Sequence, residues 1–227
     1  MRLPTIFATA AVAFPLLAGT AHANLITNGS FETNTLAAGA KAYFTNAGVA
    51  GWSGGTHLTF LDAPGTAANG SYLSVYGPFP STSPDGGYFV EADGDPSYSG
   101  AFYQTVSDLT IGQSYTLTFY QAAGQQANFT GSTTERWKVT FGNDTQYSPE
   151  YSLPQGGVGQ WEQVTMNFVT SSTSQVLTFL AQGTPTGAPP ISFLDGVDLQ
   201  VTVPEPTTLT LLGAGLLGLG LRRRKRG

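Results

Sequence analysis

Cysteine is absent from the chain. Disulfides, thiolate zinc sites and cysteine nucleophiles are therefore excluded within it, and stability has to come from a packed core, helped by any metal held through oxygen. Histidine is scarce, with only His22 and His57 present. A serine hydrolase needs a base and an orienting acid beside its serine, and there is no Gly-x-Ser-x-Gly elbow. His57, in Gly54-Gly-Thr-His-Leu58, reads as a surface or half-buried residue rather than a general base. Phosphate-loop and dinucleotide fingerprints are missing as well. Carboxylates are plentiful, yet no two stand out as a glycosidase pair. The composition therefore points away from an enzyme.

Cations are also few, and they are concentrated at the ends. Of nine Lys and Arg, six lie at Arg2 and Arg222, Arg223, Arg224, Lys225 and Arg226. The terminal segments themselves read as addresses. Arg2, the apolar stretch Ile6–Leu17 and the small-x-small site Ala21-His22-Ala23 form a secretory signal peptide, residues 1–23, with cleavage before Asn24. At the other end Pro204-Glu205-Pro206 precedes the apolar run Thr207–Leu221 and then the five cations Arg222–Arg226. Such a run partitions into lipid and the cations stop it at the cytoplasmic face. Its fifteen residues give roughly 22 Å of helix against a hydrocarbon core of ~30 Å, a short transmembrane helix suited to a transient membrane anchor. Burying five adjacent cations as part of a core helix would be costly, which argues against an ordinary domain end.

Residues 204–227 resemble the PEP-CTERM sorting signal of Gram-negative bacteria, with motif, apolar helix and basic cluster in order. The resemblance implies recognition by an exosortase, export through the inner membrane, and delivery to the cell surface or extracellular matrix in company with exopolysaccharide. Between the addresses, residues 24–203 carry three cations (Lys41, Arg136, Lys138) and thirteen acids, a net charge of −10. Phosphate backbones would be repelled, so nucleic acid is excluded as a partner.

No stretch of this middle segment keeps a helical period, whereas several alternate with period two. Tyr115, Leu117 and Phe119 share one face of 114–121. Val164, Met166 and Phe168 share one face of 161–169. Further strands are expected at 72–76, 88–91, 101–106, 137–141, 145–147, 175–180, 191–194 and 197–203. Long loops are expected at 33–50 and 124–135, and a tight turn at Phe141-Gly-Asn-Asp-Thr145. Many short strands with turn chemistry between them indicate an all-β antiparallel sandwich. Glu91-Ala-Asp-Gly-Asp95 reads as a solvated acidic turn, lacking the spacing of an EF-hand. Trp52 and Trp161 read as packing residues and Trp137 as facing either way. Tyr43, Phe44, Phe129, Tyr147 and Tyr151 are candidate sugar platforms, each more simply a cover for the sandwich ends.

Three passages, in this order, resemble the galactose-binding-like jelly rolls, which include families of carbohydrate-binding modules. They are Asn24-Leu-Ile-Thr-Asn-Gly-Ser-Phe-Glu32 with Gly51-Trp52, Phe102-Tyr-Gln-Thr-Val106 with Leu109–Phe119, and Gly159-Gln-Trp161 with Leu177-Thr-Phe179 and Phe193-Leu-Asp195-Gly-Val197. The resemblance implies a jelly-roll β-sandwich and a non-catalytic, carbohydrate-binding-like module. It further implies a structural calcium ion where the first and last strands meet, held by Glu32, Asp195 and backbone carbonyls. Gly196 stands where relatives carry a second acid or amide. A structural or adhesive matrix protein without a discrete sugar site is the alternative, and a secreted hydrolase the more remote one. The sugar itself is not legible.

Overall fold

The structure is a computed structural model that describes residues 23–69 and 72–202. The terminal addresses, including Ala21, Pro204–Pro206 and the basic cluster Arg222–Arg226, lie outside the described residues. Among the described residues no helix is long and apolar enough to cross a membrane.

The described residues form twelve strands: β1 (Lys41–Tyr43), β2 (Ser53–Gly54), β3 (Thr59–Asp62), β4 (Phe89–Asp93), β5 (Phe102–Val106), β6 (Ser114–Gln125), β7 (Thr133–Phe141), β8 (Asp144–Tyr147), β9 (Tyr151–Leu153), β10 (Val158–Val169), β11 (Gln175–Thr184) and β12 (Pro190–Val201). Sheet A runs β1-β3-β4-β12-β6-β10 and sheet B runs β2-β5-β11-β7-β8, with β9 also paired to β7. From β4 to β7 and from β10 to β12 the chain passes from one sheet to the other at each step, the winding of a jelly roll.

Alternation decides which side chains meet. β7 alternates buried and half-exposed residues throughout, with Trp137, Val139 and Phe141 between the sheets and Arg136, Lys138 and Thr140 on the outer face. Tyr115, Leu117, Phe119, Val164, Met166 and Phe168 join the same core. Trp137 thus faces inward, and its indole N–H donates to the Phe193 carbonyl of the opposite sheet (3.0 Å). Phe102 and Phe179 stack beside it at 5.5 Å between centroids. The β7–β8 hairpin turns on Gly142, whose φ of +61° suits glycine.

Sequence expectation and structure differ at four places. Residues 72–76 form no strand; Val75 makes one bridge to Gln126. The 33–50 region contains β1 and a short 3-10 turn, and the 124–135 loop shrinks because β6 runs on to Gln125 and β7 begins at Thr133. Glu91–Asp95 is not solvated, since Glu91, Asp93 and Asp95 are all buried. Residues 63–69 and 72–88 lie across the outer face of sheet A, where Ala67, Leu73 and Val75 pack against Phe60, Phe89, Ile191 and Phe193 and the Leu73 carbonyl holds the Lys41 ammonium on Glu91. Asp93 accepts from the Asp95 N–H (2.8 Å), and Asp95 accepts from the nearby Ser97 N–H (2.9 Å) and the distant Gly187 N–H (3.1 Å).

Candidate functional site

The two outer faces of the sandwich differ. On sheet A the 63–88 segment is tied down by polar and aromatic contacts. Lys41 Nζ donates to the Leu73 carbonyl (2.6 Å) and to Glu91 Oε2 (2.5 Å), with Asp62 Oδ2 at 3.2 Å. Phe79 packs on Phe193 at 4.2 Å, and half-buried Trp161 joins Phe79 and Phe89. Removal from water drives both carboxylates upward, Glu91 furthest because Asp62 lies beside it. Two acids and one ammonium in a dry site hold a shared proton more readily than a net negative charge.

Sheet B keeps its outer face open. Cross-strand register sets Tyr103, Thr178, Thr140 and Thr145 in one row, Leu180, Lys138 and Tyr147 in the next, then Gln182 and Arg136, then Thr184 and Thr134. Tyr103 and Tyr147 are exposed. The Arg136 guanidinium sits over the Tyr147 ring at 4.5 Å. Its nearest carboxylate, Glu150, is 3.7 Å away, and both side chains are well exposed. At one end of this face a groove of about 380 Å³ runs between Thr134, Arg136, Leu180 and Gln182 and a wall formed by Gly94, Pro96 and Ser99. Hydroxyls, an amide, a guanidinium and aromatic rings on a twisted sheet can hydrogen-bond and stack against a polar, ring-bearing ligand.

The chain ends meet at the edge of the sandwich. Leu25 N–H donates to the Leu199 carbonyl (2.9 Å) and Val197 N–H to the Gly29 carbonyl (2.9 Å). Asn24, the expected first mature residue, lies next to exposed Ala23 and clamps this junction, donating to the Val197 carbonyl (3.2 Å) and accepting from Leu199 N–H (3.0 Å). Here Asp195 is fully buried, its Oδ1 accepting from Gly196 N–H (2.7 Å) and its Oδ2 from the Ser83 hydroxyl. Burial pushes its carboxyl up to about 8, and the charges of Asp85 and Glu32 add to the push. Glu32 Oε1 accepts from Tyr88 N–H (2.5 Å), and a β-carbon at Gly87 would overlap the same carboxylate. Glu32 and Asp195 are therefore brought into one neighbourhood, joined by Asp85 and Ser83. Among the described residues no three acidic or histidine side chains form a ready-made metal cage. The acidic charge and carboxylate oxygens gathered here are of the donor type an oxygen-liganded cation takes.

Of the other aromatic candidates, Phe44 is buried, while Tyr43, Phe129 and Tyr151 are half-buried. Tyr43 lies on Phe60 at 4.7 Å, and the Tyr151 hydroxyl donates to the Gln160 carbonyl (2.7 Å). Trp52 is buried, its indole N–H donating to the Asn28 carbonyl (3.0 Å). His57 is exposed beside Thr56. Gln104, inside the Phe102–Val106 passage, ties the N-terminal segment to β5 by accepting from Thr27 N–H (2.7 Å) and donating to the Thr27 and Gly51 carbonyls (2.9 Å each).

Residues 202–225 match the PEP-CTERM protein-sorting motif, so the chain carries the signal of exported, exosortase-sorted proteins. A search of the curated proteins finds no match. Among solved structures, the chain is similar to TmCBM61 in complex with beta-1,4-galactotriose, at 20% identity and a TM-score of 0.46, covering 79% of this chain and 99% of that one. It is similar also to the CBM22-1 xylan-binding domain of Xyn10C from Paenibacillus barcinonensis, at 15% identity and a TM-score of 0.44, covering 82% and 99%. A third is the K1 cleaved adhesin domain of Lys-gingipain from Porphyromonas gingivalis W83, at 16% identity and a TM-score of 0.43, covering 77% and 96%.

Proposed function

We propose that this chain is a non-catalytic surface or matrix protein that binds a glycan on the outer face of sheet B. It would be delivered to the cell surface or extracellular matrix after exosortase handling at the Pro204-Glu205-Pro206 motif, with the 1–23 leader removed before Asn24 and the Arg222–Arg226 cluster holding it briefly at the inner membrane. The associated polymer would be the exopolysaccharide of the producing cell. One observation carries the reading: sheet A's outer face is covered by 63–88, whereas sheet B presents an open ladder of hydroxyl, amide and aromatic groups beside a groove. Exposed rings take the apolar face of a sugar and the flanking polar groups fix its hydroxyls.

Retention of the purified exported chain in polysaccharide-containing native gels tests this. Binding that drops about tenfold or more in Tyr103→Ala, with an unchanged circular dichroism spectrum, supports the reading. Equal retention of variant and parent, or no retention on any polysaccharide including that of the producing cell, overturns it and favours a purely structural or adhesive role.

We further propose a calcium ion at the chain-end junction, with Glu32 and Asp195 as its carboxylates. Closing both ends of a disulfide-free domain would stabilise it by mass action. After chelation, millimolar calcium should raise the melting temperature of the parent but not of Asp195→Asn. No shift in the parent removes the ion.

A further inference from the structure

We infer that the polymer taken by sheet B is an acidic polysaccharide, whose carboxylate or other anionic substituents are held by Arg136 and Lys138. This rests on the reading of that face as glycan-binding and names the chemistry of its ligand.

Residues 24–203 carry thirteen acids and three cations, and one of those cations, Lys41, is buried between Asp62 and Glu91. The two that remain available to a partner are two residues apart on β7, side by side on the one open sheet face. An acidic domain repels a polyanion everywhere else, so these two residues fix where such a polymer can approach.

Local geometry supports a carboxylate as the group recognised. Stacking on Tyr147 orients the guanidinium plane, and Glu150 at 3.7 Å is beyond hydrogen-bond reach. The Arg136 fork therefore keeps donors free for a planar anion, which it matches with two parallel N–H bonds. Lys138 lies between Leu180 and Tyr147 across the strands and has no ion pair among the described residues. Thr140, Thr178 and Gln182 flank the pair with neutral donors and acceptors for sugar hydroxyls. Glu150 competes with the ligand for Arg136, which makes its neutralisation informative.

The test compares one backbone in two charge states. Polygalacturonate and its fully methyl-esterified form are offered to the purified exported chain at low salt, with polyglutamate as a polyanion that is not a glycan. Tighter binding to the acid form is expected, falling as salt rises. Arg136→Gln with Lys138→Gln should cost about tenfold or more on the acid form and little on the ester, while Glu150→Gln should bind the acid form a few-fold tighter. Equal binding to both forms, unaffected by the two substitutions, overturns the anionic preference and leaves the glycan reading standing. Polyglutamate bound as well as polygalacturonate reduces the site to charge alone and overturns the inference. No binding to either glycan form, or to any other polysaccharide, overturns both.

Discussion

Sheet A and sheet B use the same alternation and the same residue types, yet their outer faces end in opposite states. On sheet A the 63–88 segment turns the outer face into a second core, and the cation found there, Lys41, is enclosed between two carboxylates and a carbonyl. On sheet B nothing among the described residues covers the centre of the outer face, and Arg136 and Lys138 remain half-exposed. The contrast separates a cation that holds a fold from cations that can meet a partner.

The largest effect is expected at Lys41. Lys41→Met leaves Asp62 and Glu91 buried together without their cation, and breaking a buried pair in this way costs about 3–5 kcal/mol. The two carboxyls could relieve the strain only by taking up protons, so the loss should grow as pH rises. Urea unfolding of parent and variant between pH 5 and pH 8 reads this. A variant as stable as the parent at pH 8 would mean that the triad holds nothing together.

Glu135 sharpens the comparison within a single strand, because it points inward where its neighbour Arg136 points out. Burial pushes its carboxyl from 4.5 up to about 8, the Thr133 hydroxyl offsetting a little and the charge of Glu150 adding to the rise. In the unfolded chain the group ionises near 4.5, whereas in the fold it keeps its proton to about 8. Below the lower value both states are protonated and the group is neutral to stability; between the two, folding is progressively penalised; above the upper value the penalty is constant. Glu135→Gln should abolish that slope and gain on the order of a few kcal/mol over the parent at pH 8, with little difference at pH 4.5. Parallel unfolding curves for the two proteins across this range would sink the prediction.

How much of this was legible in the sequence follows from the range of each interaction. Period-two patterns at 114–121 and 161–169 placed Tyr115, Leu117, Phe119, Val164, Met166 and Phe168 correctly, because strand alternation is a local property. Glu32 and Asp195 were brought together by resemblance alone, and Asp85 and Ser83 joined them only once the fold was in view. Glu91–Asp95 has the composition of a solvated turn; its burial depends on the chain just before it folding back over sheet A and on partners distant in sequence, Lys41 for Glu91 and the Gly187 N–H for Asp95, which composition does not reveal. Strand alternation did hold a signal for Arg136 and Lys138: once Trp137 is placed inward, both cations must face out. What it could not supply is that this face stays open.

The smallest effect completes the contrast. Arg136→Gln removes a guanidinium from an exposed pair with Glu150 and from the Tyr147 ring. Exposed ion pairs contribute about 0–1 kcal/mol and exposed cation–π contacts about the same, so unfolding free energy should move by less than about 1 kcal/mol. The ion-pair term is further reduced by its geometry, since the 3.7 Å separation exceeds a hydrogen bond. The same substitution is expected to weaken acidic-glycan binding, so stability and affinity should part company at Arg136 and move together at Lys41, where unfolding itself would destroy the site. A loss of several kcal/mol in Arg136→Gln, measured by urea unfolding at pH 7, would make the open face structural after all and erase the distinction between the two sheets.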